Sequence, residues 1–335
     1  MKYGGMTYQL ERGNHIRKEC LKKNVPGILH RLWPTLIYAS TAIGSTFAIY
    51  KKEIQFYCGT ELPLINHIRY AASEGFFGIS ASIHTDEYFL LPTCVFFEFI
   101  KEEDIDQSQP KTLLISEIKP GNRYELVCTN EAGLIRYRMG DVINCTRFLN
   151  RADDLIPLPS EPEEIPRIPL ISIAYRTGNL LDIYGEKTCE QHIMNAIKLV
   201  VNRWKEQGIH VDICDFTSYT KVDVSPAHYI IFLELMDVQG NKIDDQQLRM
   251  LQNNVSLEVD QQLHITNDYY KQYRSLGKLG SLLCIIVRSG TFAEFFNRVL
   301  ATDRVSPVQN KPRRLLNNEK HIQFFYDNQI TTFDS

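Results

Sequence analysis

Two polar turns, each bordered by β-like runs, restrict how this sequence can fold. Residues 70–75 read Tyr-Ala-Ala-Ser-Glu-Gly, and residues 134–141 read Leu-Ile-Arg-Tyr-Arg-Met-Gly-Asp. In the first turn, Ser73 can offer a hydroxyl to a phosphate oxygen, and Glu74 can offer a carboxylate to Mg²⁺. In the second turn, the carboxylate of Asp141 can accept both hydroxyls of a ribose. Together the two turns indicate a site for a nucleotide and its metal ion.

Each turn also has a plain structural interpretation. An isolated Ser-Glu pair is usually a polar turn that caps the next element. Asp141 alone would be a turn residue at the end of a strand, and Arg138 a solvated charge. The joint occurrence of Tyr137, Arg138, Gly140 and Asp141 favours binding of the ribose and the rest of a nucleotide.

Two further cations are candidate ligands for such a nucleotide. Arg176 lies in a Tyr-Arg-Thr-Gly-Asn segment, where its guanidinium could hold ribose or phosphate through two parallel hydrogen bonds. It could equally be a surface arginine at a strand edge. Lys311 lies in a Gln-Asn-Lys-Pro-Arg-Arg segment and could reach an α-phosphate, although a run of charges is usually a solvated face.

The first part of the chain has the pattern of an α/β unit. A short apolar run at 36–40 predicts a buried parallel strand, 46–57 predicts a helix, and 65–70 predicts a second strand. Ligands of α/β units collect at the carboxyl ends of their strands. The turn that contains Ser73 and Glu74 is predicted to lie at such an end.

Residues 88–148 change to short β-rich runs separated by proline, glycine and acidic turns, as in a small sheet or barrel. The predicted strands are 88–91, 95–100, 124–129, 134–138 and 142–148. On this prediction Gly140 and Asp141 lie in a turn between the last two strands.

The remaining chain predicts a second, compact α+β domain. Residues 151–169 contain five prolines and several acids, which indicates an exposed linker. Apolar residues recur at steps of three and four over 189–204, as in an amphipathic helix. Strands are predicted at 211–219, 228–235 and 281–288, helices after Asp244 and over 292–300, and a basic tail at the end. We therefore predict one domain over 1–174 and another over 175–335.

Composition argues against several functional classes: nucleic-acid binding, membrane binding, and folds that depend on disulfides or zinc. A net charge of −3 gives no case for nucleic acid or an acidic membrane surface. The eight cysteines never form a Cys-x-x-Cys pair and mostly lie in apolar runs, which predicts reduced thiols in the cytoplasm and neither disulfides nor a zinc site. Residues 32–50 carry no charge over nineteen positions. They also contain proline, glycine, serine and threonine, so we predict a buried strand, a turn and a helix start, not a membrane span.

These segments resemble the Gretchen-Hagen-three family of acyl-acid amido synthetases, which belong to the adenylate-forming superfamily. The similar stretches run nearly end to end through the sequence. They are Leu-Trp-Pro at 32–34, Tyr-Cys-Gly-Thr-Glu-Leu-Pro-Leu at 57–64, the turn at 70–75, Tyr-Glu-Leu-Val at 124–127, the block 133–142, the region 176–190, Phe-Thr-Ser-Tyr at 216–219, Gly-Thr-Phe at 290–292 and the segment around Lys311.

The resemblance implies an α/β fold. A partial large domain, made of an α/β unit plus a small β-barrel, would precede a smaller, mobile α+β C-terminal domain. It implies a two-step reaction in which ATP and a carboxylic acid form an acyl-adenylate, which an amino acid then attacks to release AMP. The implied cofactors are ATP or AMP and Mg²⁺, and the implied partners are a small carboxylic acid and an amino acid. A cytoplasmic monomer that uses neither nucleic acid nor a membrane is expected.

The family pattern also implies roles for individual residues. Ser73 would contact phosphate, Glu74 would bind Mg²⁺, and Asp141 and Arg176 would bind ribose. Tyr137 and Arg138 would complete the nucleotide site. Lys311 would act near the α-phosphate as the catalytic cation, and the second domain would rotate about residues 175–177 between the two steps.

The sequence departs from the family pattern at two points. Ala72 replaces a more usual serine, and no Ser/Thr/Gly-rich phosphate loop precedes the Ser-Glu turn. Two expectations follow from the missing loop: the sequence is part of a longer ligase, or it is a family member without catalysis that binds a nucleotide or an acyl acid.

Overall fold

A computed structural model describes residues 9–83, 85–150, 167–238, 240–300 and 313–330. Its described residues form two compact units. The first contains the residues up to Met139 together with Ile143–Ile173, and the second contains Gly140–Val142 and the residues from Ala174 onward. The predicted domain boundary after residue 174 and the predicted movement of the second domain stay predictions.

The first unit begins with short helices and a small parallel pair of strands. The helices are α1 (Leu10–Cys20), α2 (Ile28–Leu32) and α3 (Lys51–Cys58), and a 3₁₀ turn at Ser45–Tyr50 precedes α3. Strand β1 (Ala39–Ser40) pairs in parallel with β2 (Leu64–Ile65). The predicted strand, helix and strand are thus present but shorter than expected.

Most of the first unit is one eight-stranded sheet. Its strands are β3 (Arg69–Ala72), β4 (Gly75–Ser80), β5 (Tyr88–Leu90), β6 (Phe96–Lys101), β7 (Thr112–Leu113), β8 (Arg123–Thr129), β9 (Tyr137–Phe148) and β10 (Pro169–Arg176). Their order across the sheet is β3-β4-β5-β10-β9-β8-β6-β7. Side chains on one face, among them Phe77, Phe99, Leu126 and Ile143, are completely buried and form the core of this unit.

The sheet corrects two expectations about the polar turns. Ser73 and Glu74 form the turn of an antiparallel hairpin between β3 and β4, not the carboxyl end of a parallel strand. Gly140 and Asp141 lie inside β9, which runs without interruption where a turn between two strands was predicted. Within this strand Gly140 takes φ +74°, a backbone conformation that is typical of glycine at a bulge.

The second unit combines helices with a three-stranded sheet. Its elements are β11 (Leu180–Leu181), β12 (Thr188–Cys189), α4 (Glu190–Glu206), β13 (Val211–Lys221), β14 (His228–Asp237), α5 (Asp245–Thr266), α6 (Asp268–Ser275), β15 (Leu283–Val287), α7 (Thr291–Glu294), a π turn at Phe295–Leu300 and α8 (Glu319–Asp327). Strand β14 lies between β13 and β15, antiparallel to the first and parallel to the second. The α4 helix buries the predicted apolar stripe, and the carboxylate of Asp244 caps α5 as predicted.

The last described residues belong to the second unit's core and not to a basic tail. Leu316 donates its backbone N–H to Ser218 of β13, and Ile330 donates to Ile286 of β15. Between these contacts, α8 buries Phe325 against the sheet. Residues 313–330 therefore lie along both edges of the three-stranded sheet. Within the described ranges, no helix is long and apolar enough to cross a membrane.

Candidate nucleotide-binding site

The hairpin turn at Ser73 and Glu74 is held by a neighbouring asparagine. Ser73 is exposed and Glu74 is half-buried. The side-chain amide of Asn130 donates to the backbone carbonyl of Glu74 at 2.6 Å, while its oxygen accepts the N–H of Ala132 at 3.0 Å. Asn130 therefore connects this turn to the loop between β8 and β9. The sequence indicated a hairpin connection at Asn130 but not this contact.

The carboxylate of Glu74 can still take a ligand. It makes no hydrogen bond or ion pair with the residues that the structure describes, and the pKa of the Cys128 thiol is raised by burial and by the charge of Glu74. The described ranges contain no group of three or more His, Cys, Asp or Glu side chains that could hold a metal. A single carboxylate fits Mg²⁺ only where phosphate oxygens supply further ligands, which is the usual way that Mg²⁺ binds beside nucleotides.

Tyr137 and Arg138 differ in what they can offer to a ligand. Tyr137 opens β9 and leaves 41% of its surface exposed. Arg138 instead forms a two-pronged ion pair with Glu125 of β8, and its Nη2 also donates to the carbonyl of Ile105 at 2.7 Å. Glu125 has only 2% of its side chain exposed, so it depends on this arginine for charge compensation. Arg138 therefore has a structural role as the partner of Glu125, and its contact with a nucleotide stays a prediction.

Asp141 and Arg176 come together within the second unit. The Nε of Arg176 donates to Oδ1 of Asp141 at 2.9 Å, with 11% of the Asp141 side chain and 46% of the Arg176 side chain exposed. At Gly140, an added Cβ would lie 2.8 Å from Oγ1 of Thr177. The absence of a side chain at Gly140 thus lets the Asp141 segment approach the chain directly after Arg176. Lys311, the remaining candidate, lies outside the described residues.

A buried carboxylate that the sequence did not single out stabilises the chain after Arg176. Glu186 is completely buried and accepts the N–H groups of Ile183 and Tyr184, both at 2.8 Å, as well as the hydroxyl of Tyr229. Burial and the charge of Glu186 raise the pKa of Tyr229. Asn267 donates to the backbone carbonyl of Glu186 at 3.1 Å. In the sequence, Glu186 is a single acidic residue within a turn. Nothing in the sequence distinguishes this buried glutamate from a solvent-exposed one.

Models of three domains of one family match most of the chain. The GH3 family N-terminal domain matches residues 5–64, the central domain matches 88–155 and the C-terminal domain matches 191–320. GH3 is the Gretchen-Hagen-three family that the motifs resemble.

Individual relatives carry names of acid–amino acid ligases. An indole-3-acetic acid-amido synthetase of Arabidopsis thaliana is 29% identical over 298 residues, which are 87% of this chain and 46% of that protein. A 4-substituted benzoates-glutamate ligase of the same plant is 28% identical over 321 residues, 93% of this chain and 51% of that protein. The chain thus spans about half the length of these curated relatives.

A solved structure shares the fold. The GH3.15 acyl acid amido synthetase superposes with a TM-score of 0.74 at 26% identity, over 98% of this chain and 55% of that protein. The same enzyme has been solved with 2,4-DB, again with a TM-score of 0.74.

Proposed function

Because the chain belongs to the GH3 family, we propose that the protein joins a carboxylic acid to an amino acid at the expense of ATP, through an acyl-adenylate. The names of the relatives support this class of reaction. The observation that carries the proposal is the Asp141–Arg176 ion pair, which lies beside Gly140 in the segment that resembles the family's ribose-binding motif.

Asp141 and Arg176 would act as a pair on the ribose. A carboxylate offers several acceptor positions, so the ribose hydroxyls can bond to the group that Arg176 orients. Arg176 in turn has further N–H donors with which to contact ribose or phosphate oxygens. Tyr137 would add an exposed aromatic surface to the nucleotide site.

Ser73 and Glu74 would act on the phosphates. The exposed Ser73 hydroxyl can donate to a phosphate oxygen, and Glu74 would hold Mg²⁺ together with the phosphates of ATP. When bound, Mg²⁺ would neutralise charge on the phosphate oxygens. Lys311 would add a cation at the α-phosphate in the first step, where negative charge develops.

A second candidate function is that of a family member without catalysis. Without a Ser/Thr/Gly-rich loop, the β- and γ-phosphates of ATP have no recognisable partner in this sequence. Such a protein would keep the fold and bind only AMP or an acyl acid. In either case we propose a cytoplasmic monomer with small-molecule partners, and no nucleic acid or membrane.

Two half-reactions separate these candidates. Residues 1–335 are mixed with synthetic acyl-adenylates and amino acids, and amide formation with AMP release is measured. We expect amide formation with at least one pair, together with no ATP–pyrophosphate exchange above background because the phosphate loop is missing. Amide formation that equals the uncatalysed rate for every pair would favour the binding protein, and clear exchange activity would contradict the inference from the loop.

A further inference from the structure

Arg136 has a backbone conformation that a residue with a side chain rarely takes. Its φ is +47°, in the left-handed region, directly before Tyr137 opens β9. A Cβ makes this region unfavourable, so such residues persist only where neighbouring contacts hold them.

Hydrogen bonds from the backbone and the side chain of Arg136 can hold it in this conformation. Its backbone N–H donates to Oγ1 of Thr129 at 2.9 Å. Its side chain donates from Nε to Oε2 of Glu98 at 3.0 Å and from Nη2 to Oγ1 of Thr112 at 3.2 Å. Thr112 itself donates to the other oxygen of Glu98 at 2.7 Å. Arg136 is thus attached to β6, β7 and β8 at once, although 61% of its side chain is exposed.

The residue on the other side of Tyr137 is attached in the same way. Arg138 pairs with Glu125 of β8 through two prongs. Tyr137 therefore lies between two arginines, each of which is bonded to a glutamate of another strand of the same sheet. Tyr137 itself stays exposed.

We propose that Arg136 and Arg138 are positioning residues, which hold Tyr137 in the place where it meets the nucleotide. This inference rests on the proposed function, because only that function gives Tyr137 a ligand. Arg136 does not contact the nucleotide in this proposal, and both arginines act through the backbone on either side of Tyr137. Arg136 is the more informative of the two, since removing Arg138 leaves the buried Glu125 without its partner and can disturb the fold.

The test compares AMP affinity with local order in residues 1–335. AMP binding is measured by calorimetry for the wild type, Arg136→Ala, Arg136→Gly and Tyr137→Ala, and amide hydrogen exchange is measured over 130–138. Arg123→Ala is the matched control, because Arg123 is also a sheet arginine, which donates to Asn144 at 2.9 Å and pairs with Glu102 at 3.5 Å.

We expect Arg136→Ala to weaken AMP binding about tenfold, to speed exchange over 130–138 and to lower the melting temperature, because the bonds to Glu98 and Thr112 are lost. Arg136→Gly should lose at least as much affinity and protection from exchange, since glycine takes a positive φ freely but lacks the side chain that is bonded to Glu98 and Thr112. The double variant Arg136→Ala/Tyr137→Ala should bind AMP like Tyr137→Ala alone, because Arg136 acts through Tyr137.

Three results would overturn the proposal: wild-type affinity in Arg136→Ala, wild-type affinity and exchange in Arg136→Gly, or additive losses in the double variant. If the wild type itself binds no AMP, the nucleotide site fails. The exchange data then still decide whether Arg136 holds this segment, and unchanged exchange in Arg136→Ala would reject the holding role as well.

Discussion

At the scale of single residues, Gly140 is a position of the candidate site where we expect any side chain to be destabilising. Its φ of +74° disfavours any side chain, and a Cβ would meet Oγ1 of Thr177 at 2.8 Å. The first effect comes from the backbone and the second from the neighbour, so two different substitutions can separate them.

Gly140→Ala should lower the free energy of unfolding by more than the roughly 1–2 kcal/mol that a Cβ costs in the left-handed region. Gly208→Ala is the control, because Gly208 has φ +83° and nothing within 4 Å of an added Cβ. Urea unfolding measures both. Removing Oγ1 with Thr177→Ala should restore part of the Gly140→Ala loss, and equal losses in the two glycine variants would show that the contact with Thr177 is unimportant.

Glu98 should make stability depend on pH. Burial raises its pKa, but the hydrogen bonds from Thr112 and Arg136 outweigh burial, so the pKa is lowered from its ordinary value of 4.5. A carboxyl whose pKa is lower in the folded state stabilises the fold above its unfolded pKa, and loses that contribution as pH falls through the folded value.

The difference in unfolding free energy between wild type and Glu98→Gln should therefore be largest near neutral pH and should shrink below about pH 4.5. Chemical unfolding at a series of pH values measures it. The same substitution at the exposed Glu103 is the control. A difference that stays constant or grows in acid would contradict this assignment.

At the scale of elements, the sequence predicted helices and helix caps better than it predicted where strands continue or which distant segments pack together. The stripe of α4 and the cap of α5 were recognisable because they depend on local spacing. The continuity of β9 was not, because Gly140 signals a turn unless one knows that the strand accepts φ +74°. Helix α8 was missed because its apolar residues follow a basic run, and the edges of the sheet that they cover are distant in sequence.

Arg314 shows how a charge within that basic run becomes structural. Its side chain is 4% exposed and pairs with Asp215 of β13 and with Glu190 at the start of α4. It also donates to the carbonyl of Phe216 at 2.6 Å, with its guanidinium over the Phe216 ring. The sequence offered no means to tell Arg314 from the exposed Arg313 beside it.

Arg314→Ala should lower the free energy of unfolding by roughly 3–5 kcal/mol, since it removes the buried cation that pairs with the carboxylates of Asp215 and Glu190. Arg313→Ala, one residue earlier, should change stability by less than about 0.5 kcal/mol. Thermal unfolding of the two variants gives the comparison. Similar melting temperatures would mean that water or another cation replaces Arg314.

At the scale of the whole molecule, each of the two units has its own buried core. Ser73, Glu74 and Tyr137 belong to the first unit, and Asp141 and Arg176 belong to the second. Family motifs single out these residues as candidates in the sequence, because each motif is local. The contacts that support them, such as Asn130 with Glu74 or Glu186 with Tyr229, join residues far apart and needed the structure.

The central claim is that Asp141 binds the ribose of an adenosine nucleotide. Calorimetric titration of AMP into residues 1–335 tests it, with Asp141→Ala as the variant and the exposed Asp223→Ala as the control. We predict one AMP per chain, a dissociation constant at least tenfold higher for Asp141→Ala, and no change for Asp223→Ala. An absence of AMP binding by the wild type, or equal affinity in wild type and Asp141→Ala, would contradict the claim.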